Sequence, residues 1–278
     1  MTDAMPPFVR LGDLTAPAFA EALKRNPVIL LPLGSQEDHG PHQPMGDYLL
    51  AETIAERIAR RAHALGAPAY VAPGLPFGVA DYFGSSPGGL ALSAESFRHV
   101  LDDLLHGLLR HGLTRIVILN AHGGNVPVIH QATLALRRAR RVVVPSFYLW
   151  KAARQLMERR LGEAGQARFG HGAEPLLSLN LALRGDCVSV QGEPAHPPGK
   201  AFGLPVSGFG TVDFQGLQVE VPVEFEAVPR AAIAAAWPEG SAELGAEVAE
   251  ALVQAGAAFA RLVYERAIGD YAAPAGAD

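Results

Sequence analysis

The chain has 278 residues, a formal net charge of −5 and 49% hydrophobic residues, enough apolar material for a sizeable core and too much for a disordered chain. Its densest basic cluster, Arg137-Arg138-Ala139-Arg140-Arg141, falls at an expected helix-to-strand junction where solvated arginine is ordinary, which argues against a nucleic-acid partner. Cys187 is the single cysteine and excludes an intramolecular disulfide, no apolar stretch approaches a membrane span, and Met1 to Asn26 lacks the basic-then-apolar order of a secretion signal, so the expectation is a cytoplasmic protein without a membrane partner.

In chain order, Val28 to Leu33 reads as a strand buried on both faces, followed by a helix from about Tyr48 to Leu65 and a short strand at Tyr70-Val71-Ala72. A helix from about Ala94 to His111, a strand from Ile116 to Leu119, a helix from about Val126 to Arg140 and a strand at Val142-Val143-Val144 continue the alternation. Such alternation predicts an α/β fold: a mostly parallel sheet covered by helices on both faces. Gly and Pro crowd Gly192 to Gly210, and Val219 to Phe225 alternates apolar with acidic residues as a half-exposed strand or hairpin does. We read an insertion at about 192–230 within one domain spanning 1–268, helical periodicity from Ser241 to Ala267, and a loose tail over 269–278. Gly208-Phe209-Gly210 follows no strand-to-helix turn, so no dinucleotide fingerprint is present.

Three segments carry chemistry. The first, Gly34 to Asp47, puts Glu37, His39, His42 and Asp47 in one loop after the Val28–Leu33 strand, where ligand crevices of open α/β sheets lie. In an extended stretch Glu37 and His39 project to one side, and Gly40, Pro41, Pro44 and Gly46 can return the chain so that Asp47 bridges two cations with its two oxygens. A solvated surface turn is the competing reading. The second segment, Asn120-Ala121-His122-Gly123-Gly124-Asn125, follows the Ile116 strand. Here His122 either meets the first loop or is satisfied by turn backbone, while Asn120 and Asn125 suit turn formation and capping. In the third, Gly170-His171-Gly172-Ala173-Glu174-Pro175, a helix beginning near Gly170 would put His171 and Glu174 on one face; plain helix capping by Glu174 is the alternative.

Glu37-Asp38-His39-Gly40-Pro41-His42, Asn120-Ala121-His122-Gly123-Gly124-Asn125, and Ser86-Pro87-Gly88-Gly89 with Ser93-Ala94-Glu95-Ser96-Phe97 resemble, in order, motifs of the creatininase family of metal-dependent amidohydrolases. The likeness spans about Val28 to Leu183 and returns weakly near Trp237 to Leu252. It implies a three-layer α/β fold, a homo-oligomer that is usually a hexamer, a small-molecule substrate and two divalent cations per subunit. It also implies that Glu37 and Asp47 hold one cation, that His39, Asp47 and His122 hold the other, and that Asp47 bridges. Several positions depart from the family pattern. Pro44-Met45-Gly46-Asp47 is one residue short, which requires a tightened turn. Gly124 stands where the enzyme that names the family has a glutamate ligand, and Leu176 where many relatives carry a working carboxylate, which leaves Glu174 as the nearby carboxylate, either ligand or acid/base. Ala80, Tyr82 and Phe83 replace the polar residues that contact substrate, which argues against creatinine.

The expected reaction is hydrolysis of the C–N bond of a cyclic amide, formamide or similar small substrate by a hydroxide held between two cations about 3.5–4 Å apart. His171 is the candidate for proton transfer to the leaving nitrogen. Imidazole and carboxylate ligands without thiolate fit Zn, Mn or Fe. Two rivals remain open: a metal-dependent hydrolase that opens a cyclic ketone or lactone, and a non-catalytic subunit whose metal site has degraded at Gly124 and Leu176.

Overall fold

The computed structural model describes residues 6–189, 199–229, 233 and 239–266. Part of the expected insertion, Trp237 and the expected tail lie outside the described residues. Four parallel strands form the central sheet in the order β2-β1-β3-β4, with β1 at Val28–Leu33, β2 at Ala69–Val71, β3 at Ile116–Asn120 and β4 at Ser146–Tyr148. The chain runs outward from β1 to β2 and then returns to place β3 on the other side of β1. That reversal makes the carboxyl ends of β1 and β3 the switch point where two loops diverge and leave a crevice.

Every residue of β1 and β3 is buried, and their alternation feeds two cores. Val28, Leu30, Val117 and Leu119 face a cluster built with α2 (Asp47–Ala64), α5 (Leu149–Leu161), α6 (Leu176–Arg184) and α7 (Ala242–Glu265). Ile29, Leu31, Leu33, Ile116 and Ile118 face another, built with α3 (Ala94–Arg110) and α4 (Asn125–Arg140) and edged by α1 (Ala16–Leu23). This is the expected helix–sheet–helix sandwich. Helix α7 approaches α6 closely at Gly245, where a Cβ would lie 1.8 Å from the Ser178 carbonyl oxygen.

A separate antiparallel sheet follows α6, ordered β5-β6-β7-β8 over Lys200–Ala201, Leu204–Gly208, Thr211–Phe214 and Leu217–Glu220. The expected strand at Val219 to Phe225 therefore lies earlier and is exposed along its length, and Phe225 begins a helical turn. The expected strand at Val142-Val143-Val144 is also displaced. Val142 and Val144 are buried and Val143 is exposed, but pairing with β3 begins only where Ile118 meets Ser146. Those valines form the extended approach to the sheet, because the parallel register fixes where the ladder starts. Among the described residues no helix is long and apolar enough to cross a membrane.

Candidate metal centre

Gly34 opens the turn after β1. A Cβ there would lie 2.5 Å from both Oδ1 of Asp47 and Cα of Tyr48, so only glycine lets the chain return so closely. An antiparallel bridge between Gln36 and Gly46 holds the return, with the Glu37 N–H donating to the Met45 carbonyl at 3.1 Å. Asp47, the first residue of α2, accepts from the Ser35 N–H at 2.6 Å and from its hydroxyl at 3.0 Å. The tightened turn demanded by the short Pro44–Asp47 segment is present.

The turn after β3 is held by asparagines. The Asn120 side chain donates to the His122 carbonyl at 2.6 Å and accepts the His122 N–H at 3.2 Å. Asn125 was expected to cap α4. Instead it is the first residue of that helix and ties three loops together, donating to the Gly34 carbonyl at 3.2 Å and to Asn120 Oδ1 at 3.1 Å while accepting the Val79 N–H at 2.9 Å. These bonds place the His122 turn against the first loop.

Glu37, His39, Asp47 and His122 meet there, all buried. His39 Nε2 lies 3.0 Å from one Glu37 oxygen and 4.0 Å from Asp47 Oδ2, and His122 Nδ1 lies 2.9 Å from the other Glu37 oxygen. The second nitrogen of each imidazole faces a backbone carbonyl, His39 Nδ1 that of Pro44 at 3.2 Å and His122 Nε2 that of Val79 at 2.9 Å. Those carbonyls fix the outer N–H of each ring and aim its inner nitrogen at Glu37. Burial opposes charge on Glu37, but the imidazoles of His122 and His39 hold its carboxyl well below the usual carboxylate range. Burial and the neighbouring Glu37 charge push Asp47 up to about 7. Burial also opposes charge on His122, yet the Glu37 and Asp47 carboxylates outweigh it and raise that imidazole to about 9.

The residues fit a metal. Glu37, Asp47 and His122 each place a donor atom within 4.8 Å of the others, as do Glu37, His39 and His171. The inner oxygen of Glu37 is buried and makes no hydrogen bond of good geometry despite its 2.9 Å approach to His122. Such an orphaned carboxylate oxygen facing imidazole nitrogens is what a cation would satisfy, displacing the protons that those nitrogens hold.

His171 stacks on His39, ring centroids 5.1 Å apart, and on Phe83 at 4.6 Å. Its Nε2 lies 2.5 Å from the Asp38 carbonyl, and burial with the His39 charge presses its basicity down to about 4. Glu174 goes elsewhere. The expected helix from Gly170 is absent: α6 begins at Leu176, because the residue before a proline is steered away from helical backbone. His171 and Glu174 therefore share no helix face. The Glu174 carboxylate accepts from the Ser178 N–H at 3.1 Å and hydroxyl at 2.5 Å and from Arg168 at 3.2 Å, capping α6, and it belongs to neither donor group. Gly124 leaves no room for a further ligand, since a Cβ would fall 2.1 Å from the Val79 oxygen and 2.6 Å from His122 Nε2.

Above the donors opens a cleft of about 490 Å³, lined among others by Phe83, Tyr148, Trp150, Lys151 and Phe209. The sequence reading passed over Tyr148, Trp150 and Phe209. With β4 expected four residues too early, Tyr148 does not stand out as a strand-end residue, and Phe209 reaches the site from the small sheet, a placement that no local pattern encodes.

A model of the family described as creatininase, creatinine amidohydrolase, matches residues 12–260. A creatinine amidohydrolase of Pseudomonas putida is 31% identical over 206 residues, 68% of this chain and 77% of that protein. A mycofactocin precursor peptide peptidase of Mycobacterium ulcerans is 32% identical over 138 residues, 46% of this chain and 52% of that protein. A 3-dehydro-scyllo-inosose hydrolase of Thermotoga maritima is 28% identical over 186 residues, 64% of this chain and 57% of that protein. Among solved structures, a creatinine amidohydrolase superposes with a TM-score of 0.72 at 26% identity, covering 94% of this chain and 100% of the other. A manganese form of creatininase gives a TM-score of 0.71 at 26% identity, covering 93% and 100%.

Proposed function

The chain belongs to the creatininase family, and from that premise we propose that it is a metal-dependent amidohydrolase cleaving the C–N bond of a small amide other than creatinine. The observation that carries this reading is the pair of donor groups sharing Glu37 at the floor of an open cleft. Divalent cations, Zn, Mn or Fe by the donor set, would polarise a carbonyl there and make water acidic enough to attack near neutral pH. Two cations are proposed: by likeness to the family, Glu37 and Asp47 would hold one, and His39, Asp47 and His122 the other; the spacing of Glu37, Asp47 and His122 supports this set of residues.

The chain's own side chains supply orientation and proton transfer. With their inner protons displaced, His39 and His122 would present fixed lone pairs because the Pro44 and Val79 carbonyls hold their outer nitrogens. His171 is kept neutral with Nε2 on the Asp38 carbonyl, and among the described residues its Nδ1 makes no hydrogen bond and can take a proton. As water oxygen bonds to the carbonyl carbon and the C–N bond breaks, a water proton passes through His171 Nδ1 to the leaving nitrogen, giving an acid and an amine. Phe83, Trp150 and Phe209 give the cleft an aromatic wall, which suits an apolar substituent better than the small polar creatinine ring.

The likeness to the inosose hydrolase, whose named substrate is not an amide, favours a second reading in which the same centre opens a cyclic ketone or lactone. By likeness to the family the proposal includes one domain over 1–268 and assembly into a homo-oligomer, a hexamer. Elemental analysis of the purified protein should find divalent metal, His39→Ala and His122→Ala should each lose metal while keeping the circular dichroism spectrum, and a panel of lactams, formamides, short peptides and lactones should identify the bond cleaved. Full metal retention by both variants, or a panel in which only lactones turn over, would overturn the amidohydrolase reading.

A further inference from the structure

We propose that Tyr148 is a catalytic residue of this centre, its phenolic O–H donating a hydrogen bond to the substrate carbonyl oxygen as attack at the carbonyl carbon builds negative charge there. The proposal rests on the hydrolytic reading above and adds a group that neither the motifs nor the donor sets include.

Position comes first. Tyr148 is the last residue of β4, and the parallel register sets it directly beside Asn120, the last residue of β3. The two strand ends stand level, so Tyr148 borders the turn that carries His122. Its side chain lines the cleft together with Glu37, His122 and Gly123. The approach is close: a Cβ on Gly123 would lie 3.1 Å from the Tyr148 hydroxyl oxygen. A side chain at Gly123 would press on the phenol, so the glycine keeps room for it at the cleft floor.

Satisfaction comes second. A partly buried hydroxyl normally has a partner, and Tyr82 shows the ordinary case, its oxygen accepting the Gly210 N–H at 2.5 Å. Among the described residues the Tyr148 hydroxyl makes no hydrogen bond. It is a donor standing over the carboxylate and imidazole groups, open to whatever enters the cleft. A phenol ordinarily titrates at about 10, so this one keeps its proton at neutral pH and serves as a donor, not as a nucleophile or base. A fixed donor aimed where charge develops needs no reorganisation during the reaction, which is why such groups are strong catalytic elements.

Tyr148→Phe removes only the hydroxyl and leaves the ring in place. On an amide that the wild type hydrolyses, kcat should fall about 10²–10³-fold with KM changed less than about threefold, while metal content and Tm stay at wild-type values. An independent readout uses the metal-loaded protein with phenylphosphonate, a tetrahedral anion, and benzoate, a planar one. The variant should bind phenylphosphonate about tenfold more weakly and benzoate within about twofold of wild type, the loss expected for one hydrogen bond to a charged oxygen. Unchanged phenylphosphonate affinity, or equal losses for both anions, overturns the proposal. A wild type that hydrolyses no amide yet shows the selective loss would keep the role of Tyr148 and overturn the amidohydrolase reading.

Discussion

At the scale of single residues the sharpest question concerns Glu174. Its carboxylate lies at the border of the cleft but is spent on the Ser178 N–H and hydroxyl and on Arg168, and burial raises its pKa in spite of those partners. Glu174→Gln should therefore act on stability. Losing a charged acceptor costs about 1.5–3 kcal/mol, so Tm should drop by several degrees at roughly 2–4 °C per kcal/mol. Metal content and turnover should stay within about twofold of wild type. A loss of turnover of about 10² or more with an unchanged Tm would return Glu174 to the acid/base role that its place near His171 suggested. Glu37, His39, Asp47 and His122 were legible as a group because strand ends aim them and the turns between contain the Gly and Pro that returning chains require. Glu174 was not, because Pro175 delays the helix start and so turns the side chain to face Ser178.

At the scale of elements, β1, β2 and β3 were readable and β4 was not. Val142 to Val144 has the composition of a strand, but the ladder with β3 is offset to Ser146–Tyr148; register between strands is a property of two segments, and one segment's composition does not encode it. The small sheet carries the same lesson. Its pattern announced strands, yet β8 buries neither face, and Phe202 is 89%, Leu217 67% and Phe214 46% exposed. A face of that kind is unusual on a free surface. If a second copy covers it, light scattering at micromolar concentration will report a multiple of 29.3 kDa. Monomer alone would overturn the assembly proposed here, and the substitutions Phe202→Ser and Leu217→Ser should shift the multiple downward.

At the scale of the whole molecule, protons and metal compete for one buried cluster, and the competition has a sign. Asp47 titrates at about 7 in the folded chain against an ordinary 3.8, and His122 at about 9 against 6.5. Both folded values are raised, so each group contributes stability below its ordinary pKa and loses it as pH climbs through the folded one. The metal-free protein should therefore lose Tm between pH 6 and pH 9. Metal binding expels those protons and tightens as pH rises, so saturating Zn or Mn should leave Tm level or rising over the same interval. A metal-free Tm that increases from pH 6 to pH 9 would contradict the protonation state drawn here.

The Val79 carbonyl that anchors His122 sits in the stretch from Phe77 to Phe83, whose aromatic end, Phe83, forms part of the cleft wall. One segment thus holds a metal-facing imidazole with its backbone and meets the guest molecule with its side chains. The two duties use different atoms. A lineage could redraw which molecule the cleft welcomes by exchanging the side chain at Phe83 and leave the carbonyl that seats the imidazole where it is, whereas one residue inserted before Val79 would unseat it.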